Sequence, residues 1–214
     1  MAVNDDKPVC LVLHGCRQGI RDDKGRLDIE RYAKKLFKKL SKTYRVKVLQ
    51  ARHPLSDQEQ GRQWYAKPLH IQDIPLGIPF EDDYMQTIHE LHETIERSDP
   101  QGRGVLLVGF SQGANVIDTY LAHQPEPALV TAAILFSGYG FVSSERRDVD
   151  VPTIYVGHPD DSIVPFPDGS EPYCSWMNSY DDIRVLEHDT RCKNNHGIPT
   201  RATLLDEIIK HISP

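Results

Sequence analysis

The chain predicts an α/β fold in which a mostly parallel sheet is covered by helices on both faces. Short, nearly continuous apolar runs of strand length recur along it, and segments with helical periodicity separate them. That alternation is the signature of βαβ units. No internal repeat or low-complexity stretch interrupts the pattern, and 214 residues suit a single domain spanning 1–214.

The elements follow in order. "VCLVLHG" (9–15) is a nearly continuous apolar run that ends in glycine, as expected of a strand buried on both faces. "LDIERYAKKLFKKLSKTY" (27–44) sets Ile29, Tyr32, Ala33, Leu36, Phe37 and Leu40 at helical spacing. Lys34, Lys35, Lys38 and Lys39 fall on its other face, which is expected to be solvated. "RVKVLQA" (45–51) is a second strand. "FEDDYMQTIHELHETIERS" (80–98) is amphipathic through Tyr84, Met85, Ile88, Leu91, His92 and Ile95. Its "HELHE" is not a zinc motif, because His89 and His92 are three apart and a shared metal needs four. "GVLLVGF" (104–110) is a strand, "SQGANVIDTYLAHQ" (111–124) a helix, and "AAILFSG" (132–138), "VPTIYVG" (151–157) and "DIRVLEH" (182–188) are strands. The closing "PTRATLLDEIIKHI" (199–212) starts with proline and gathers Leu204, Leu205, Ile208, Ile209 and Ile212 on one side of a helix. Residues 66–79 and 165–177 read as loops, yet both are more apolar than solvent requires.

Composition narrows the function. A net charge of −6 and a pI near 5.9 leave no electrostatic footprint for nucleic acid. The start lacks the basic and apolar regions of a signal peptide, and no apolar run reaches membrane-spanning length. A cytoplasmic protein with no integral membrane association is expected. Cys10, Cys16, Cys174 and Cys192 have no metal-type spacing, so free thiols are expected. Nothing in the sequence calls for a cofactor or a metal.

The chemistry centres on "LLVGFSQGANVIDTYLA" (106–122), where a serine sits between two glycines at a strand-to-helix turn. G-x-S-x-G is the form of a nucleophile elbow, which holds a serine hydroxyl exposed above a sheet. In such sheets ligands bind beyond the carboxyl ends of the strands. Ser111 is at one such end, Asp160 and Asp161 follow the strand of 151–157, and His196 follows the strand of 182–188. The order Ser, Asp, His is the order of this fold's triad. A serine needs an adjacent base to take its proton, and the base needs a carboxylate to hold its tautomer. His188, at a strand end, is the rival to His196.

"VLHGCRQ", "GRQWYAK", "GFSQGA", "DDSIVP" and "NNHGIP" together resemble the phospholipase/carboxylesterase branch of the α/β-hydrolase superfamily. That branch includes acyl-protein thioesterases and small bacterial carboxylesterases, and it is close to the small FSH-type serine hydrolases. The resemblance covers essentially the whole chain and implies an α/β-hydrolase fold with no large lid domain. It implies Ser111, Asp161 and His196 as catalytic residues, since "HGIP" before the last helix favours His196. Counting back from "IVP" selects Asp161; counting forward from Gly157 selects Asp160. Asp161 is taken here.

The intermediate's oxyanion needs hydrogen-bond donors, each worth roughly 3–4 kcal/mol of barrier. The fold supplies the backbone N–H of Gln112, and the resemblance places a second at Cys16. On this reading the side chains of Cys16 and Gln112 are incidental, and His14 organises its turn. The resemblance also puts Trp64 and Tyr65 on the substrate face. The apolar residues Leu69, Ile71 and Leu76 suggest a wall for an acyl chain. The expected protein is a serine hydrolase that cleaves a carboxylic ester or thioester through an acyl-enzyme. Acyl-protein thioesterase or lysophospholipase specificity remains open. A non-catalytic binding protein of the same fold would have lost a triad member, and all three positions are filled.

Overall fold

The computed structural model describes residues 6–55, 61–65, 82–123, 129–140, 146–167 and 172–212. Their main sheet has six strands: β1 (Val9–Leu13), β2 (Arg45–Leu49), β5 (Val105–Phe110), β6 (Val130–Phe136), β7 (Thr153–Gly157) and β8 (Ile183–Glu187). They lie in the order β2-β1-β5-β6-β7-β8, and every pairing is parallel. A small antiparallel ladder joins β3 (His53–Pro54) to β4 (Arg62–Gln63).

Five helices accompany these strands among the described residues: α1 (Asp28–Tyr32), α2 (Lys34–Thr43), α3 (Asp82–Ser98), α4 (Gln112–His123) and α5 (Ala202–Ile212). Side chains alternate across the pleat, so each central strand feeds two cores. Val9, Leu11 and Leu13 of β1, with Val105 and Leu107 of β5, meet Tyr84, Ile88, Leu91 and Ile95 of α3 and the buried residues of α4. Cys10 and Val12, with Leu106 and Val108, face the opposite way onto Ile29, Leu36, Leu40, Leu205, Ile208 and Ile212. The near-continuous apolar runs thus reflect a sheet covered twice.

Three features depart from the sequence expectation. The helix expected over 27–44 is two helices, because Ala33 leaves helical angles at φ −102°, ψ 29°. Residues 172–179 form a 3-10 helix rather than a loop, and Trp176 is buried from it. The β3–β4 ladder has no periodic signal, since each strand is only two residues long.

The topology positions the site. From β1 the chain moves to β2 on one side and then returns through α3 to β5 on β1's other side. Connections leaving adjacent strands in opposite directions open a crevice at their carboxyl ends. The exits of β1 and β5 lie there.

Candidate active site

Ser111 is the residue between β5 and α4, and its φ of 52° is left-handed, a region costly for a residue with a Cβ. Its N–H donates to Phe136 O at 2.9 Å, and its carbonyl accepts from Asn115 N–H at 3.1 Å, so the turn is held on both sides. The flanking glycines are needed for close approach. A Cβ on Gly109 would lie 2.5 Å from Ala114 Cα, and one on Gly113 2.5 Å from the Leu13 carbonyl oxygen. The first turn of α4 therefore sits directly on the end of β1.

At the β7 exit, Asp161 turns its carboxylate inward. Oδ1 accepts backbone N–H bonds from Ile163 at 2.8 Å and Val164 at 3.0 Å. Oδ2 pairs with His196 Nδ1 at 2.8 Å, with side-chain exposures of 2% for Asp161 and 12% for His196. The carboxylate thus holds a nearly buried imidazole. Asp160 is exposed, and its backbone N–H donates to His158 Nδ1 at 3.0 Å instead. The His196 ring lies 5.0 Å from the ring of Phe110, the residue before Ser111. His188 is buried, and desolvation and then the neighbouring His158 lower its pKa.

At the β1 exit, His14 is fully buried and bonded at both ring nitrogens. Ala51 N–H donates to Nε2 at 3.0 Å, so Nδ1 carries the proton toward Gly15 O at 2.7 Å. Burial lowers its pKa, and the ring stays neutral. Gly15 N–H is taken by Gln18 Oε1 at 2.8 Å, which shapes the turn carrying Cys16.

The family model described as Serine hydrolase (FSH1) matches residues 5–208. The chain belongs to that family. Solved structures of the same fold include Arabidopsis thaliana SOBER1 (16% identity, 96% of this chain and 97% of that chain, TM-score 0.64). The Bacillus cereus carboxylesterase is another (16% identity, 97% and 90%, TM-score 0.61), as is a carboxylesterase from Mesorhizobium loti (15% identity, 94% and 88%, TM-score 0.58). No curated protein has a matching sequence. The protein is a serine hydrolase with the α/β-hydrolase fold, and the described residues contain no large additional domain.

In this serine hydrolase, Trp64 and Tyr65 are buried, at 7% and 6% exposure. Trp64 Nε1–H donates to His14 O at 2.7 Å, and its ring lies 5.2 Å from the His14 ring. Tyr65 OH donates to Asn115 Oδ1 at 2.6 Å and meets Tyr139 OH at 2.7 Å, and burial pushes its pKa well above 10. Their polar atoms are spent on the protein itself. Leu69, Ile71 and Leu76 lie outside the described residues.

The Gln112 side chain is not incidental. It is 1% exposed; its Oε1 accepts Trp64 N–H at 2.8 Å and its Nε2 donates to Tyr65 O at 2.9 Å. Sequence gave no signal for this, because the partners are 48 and 47 residues away. Among the described residues no helix is long and apolar enough to cross a membrane. No group of three His, Cys, Asp or Glu among them could hold a metal ion. His89 instead faces Glu93 at 3.3 Å, and His92 meets Tyr120 OH at 3.1 Å.

Proposed function

We propose that the protein is a cytoplasmic, cofactor-free esterase that cleaves carboxylic ester or thioester bonds from a single α/β domain. Ser111 is the nucleophile, His196 the base and Asp161 its orienting acid. The observation that carries this reading is the 2.8 Å His196–Asp161 bond, formed on the same rim as a left-handed Ser111. That carboxylates of β7 and a serine of β5 share one rim follows from parallel strands, whose carboxyl ends all face one way.

In the acylation step Ser111 Oγ bonds to the substrate carbonyl carbon while its proton passes to His196 Nε2. Asp161 accepts from Nδ1–H and so leaves Nε2 as the free base in the neutral ring. The carbonyl oxygen takes the negative charge opposite the N–H groups of Gln112 and Cys16. Gln112 opens α4, and the first N–H groups of a helix have no partner within it. Collapse breaks the bond to the leaving alkoxide or thiolate, which takes the proton from His196. Water then repeats the sequence on the acyl-serine and releases the acid. Two of the structures with this fold are carboxylesterases, which favours carboxylic esters.

The test is a series of p-nitrophenyl esters and acyl thioesters of graded length against wild type and Ser111→Ala, with fluorophosphonate labelling of both. Turnover and labelling of wild type, both lost in Ser111→Ala, are the expected result. An unlabelled wild type, or an active alanine variant, would remove the serine from the mechanism.

A further inference from the structure

We propose that residues 62–65 are a splint that sets the spacing of the two oxyanion donors. The Trp64 indole and the Gln112 amide are its positioning side chains. The inference rests on the oxyanion reading above and adds to it what holds the donors in register. Those donors sit on different elements, Cys16 on the turn after β1 and Gln112 at the start of α4. Their separation has to match one oxygen atom, because each donor acts only at about 2.7–3.1 Å from the developing charge.

The splint bonds to both elements. At one end it pairs with the β1 exit turn: Arg17 N–H donates to Arg62 O at 3.0 Å, and Arg62 N–H donates to Gln18 O at 2.7 Å. These bonds bracket Cys16 from its carboxyl side. Arg62 is itself pinned, since its guanidinium donates to the carbonyls of Ala51 and Arg52. In the middle, Trp64 Nε1–H takes the carbonyl of His14, two residues before Cys16. At the other end, the Gln112 amide grips the splint backbone twice, through Trp64 N–H and Tyr65 O. One residue thus offers its backbone N–H to the reaction and fixes that peptide through its own side chain.

The amide suits this task. A carboxamide presents an acceptor and a donor side by side without any change of protonation, matching the N–H of one residue and the C=O of the next. Both bonds are buried, where an unmade hydrogen bond is costly, so the splint has a strong preference for one position. Gly113 supports it by allowing α4 to rest on Leu13 and His14.

Trp64→Phe keeps an aromatic ring beside His14 but removes the N–H donor together with part of the indole's volume, whereas Gln112→Met keeps volume and removes both backbone bonds. Each is measured for kcat and KM on a short p-nitrophenyl ester, and for affinity toward an alkyl trifluoromethyl ketone whose adduct carries an oxyanion. A displaced donor is expected to lower kcat about tenfold to a hundredfold, with KM changed less than about threefold. Affinity for the ketone falls in parallel with kcat/KM. Near-UV circular dichroism monitors folding, and Trp64→Phe alone carries the test if Gln112→Met does not fold. Retained kcat, or a loss confined to KM with ketone affinity intact, overturns the splint. A wild type labelled by fluorophosphonate beside unaffected variants sinks the splint alone. An unlabelled wild type sinks the serine reading on which it depends.

Discussion

At the scale of single residues, the two aspartates at the β7 exit differ in everything but position. Asp161 is buried, takes two backbone N–H bonds on one oxygen and holds His196 with the other. Asp160 is exposed, and its backbone carbonyl accepts from Asn195 Nδ2 at 3.3 Å. Asp161→Asn is expected to lower kcat by about 10⁴, as loss of the orienting carboxylate does in serine hydrolases. Asp160→Asn should stay near wild type, and steady-state turnover of a p-nitrophenyl ester separates the two. The reverse outcome would move the acid role to Asp160. Gly113→Ala tests the elbow's packing, since its Cβ would meet backbone of β1 at 2.5 Å with no flexible atom to yield. Overpacking of this kind costs about 1–3 kcal/mol, readable as a lower urea midpoint. An unchanged midpoint would show that α4 can move away from β1.

Among the elements, α4 is the pivot. It runs through the core with Gln112 to Ala122 all buried, and its polar residues are therefore committed. Asp118 receives two bonds from Arg146, at 2.6 and 2.9 Å, and one from Tyr180 OH at 2.6 Å. The guanidinium lies 5.7 Å from the Trp176 ring and 5.5 Å from that of Tyr180. This cluster ties the approach to β7 and the 3-10 helix of Pro172–Ser179 to α4. Arg146→Met strands a buried carboxylate and is expected to cost about 3–5 kcal/mol. Removing both charges with Asp118→Leu and Arg146→Met should cost less than Arg146→Met alone, because no unpaired ion remains. Urea unfolding of the two variants measures this; a double variant less stable than the single would contradict it.

For the molecule as a whole, two buried neutral histidines link stability to pH. His14 and His188 have pKa values lowered by burial below their ordinary 6.5, so the unfolded chain binds protons that the native chain refuses. Their contribution is full above pH 6.5 and is lost as pH falls below it toward the folded pKa values. Urea stability is expected to be flat above about pH 7.5 and to decline through pH 6. His188→Gln should flatten part of that decline, because the His188 ring is buried and its centroid lies 5.3 Å from that of His158. An unchanged slope would assign the decline to other groups.

Much of this architecture is legible in the chain itself. Parallel central strands are apolar on both faces, so β1, β5 and β7 stand out as runs. The Ser, Asp, His order marks three strand ends because strand and loop lengths are local properties. The hydrogen bond that favours Asp161 over Asp160 is different, since adjacent residues share composition and only the turn geometry orients one inward. The Gln112 grip, the Trp64–His14 bond and the Asp118–Arg146 pair join residues far apart in sequence, and no period encodes them. Local propensity and hydrophobic pattern determined the elements, their order and the residues available for chemistry. Tertiary packing decided which polar side chains became buried and with whom, because hydrogen-bond satisfaction is a property of the closed interior.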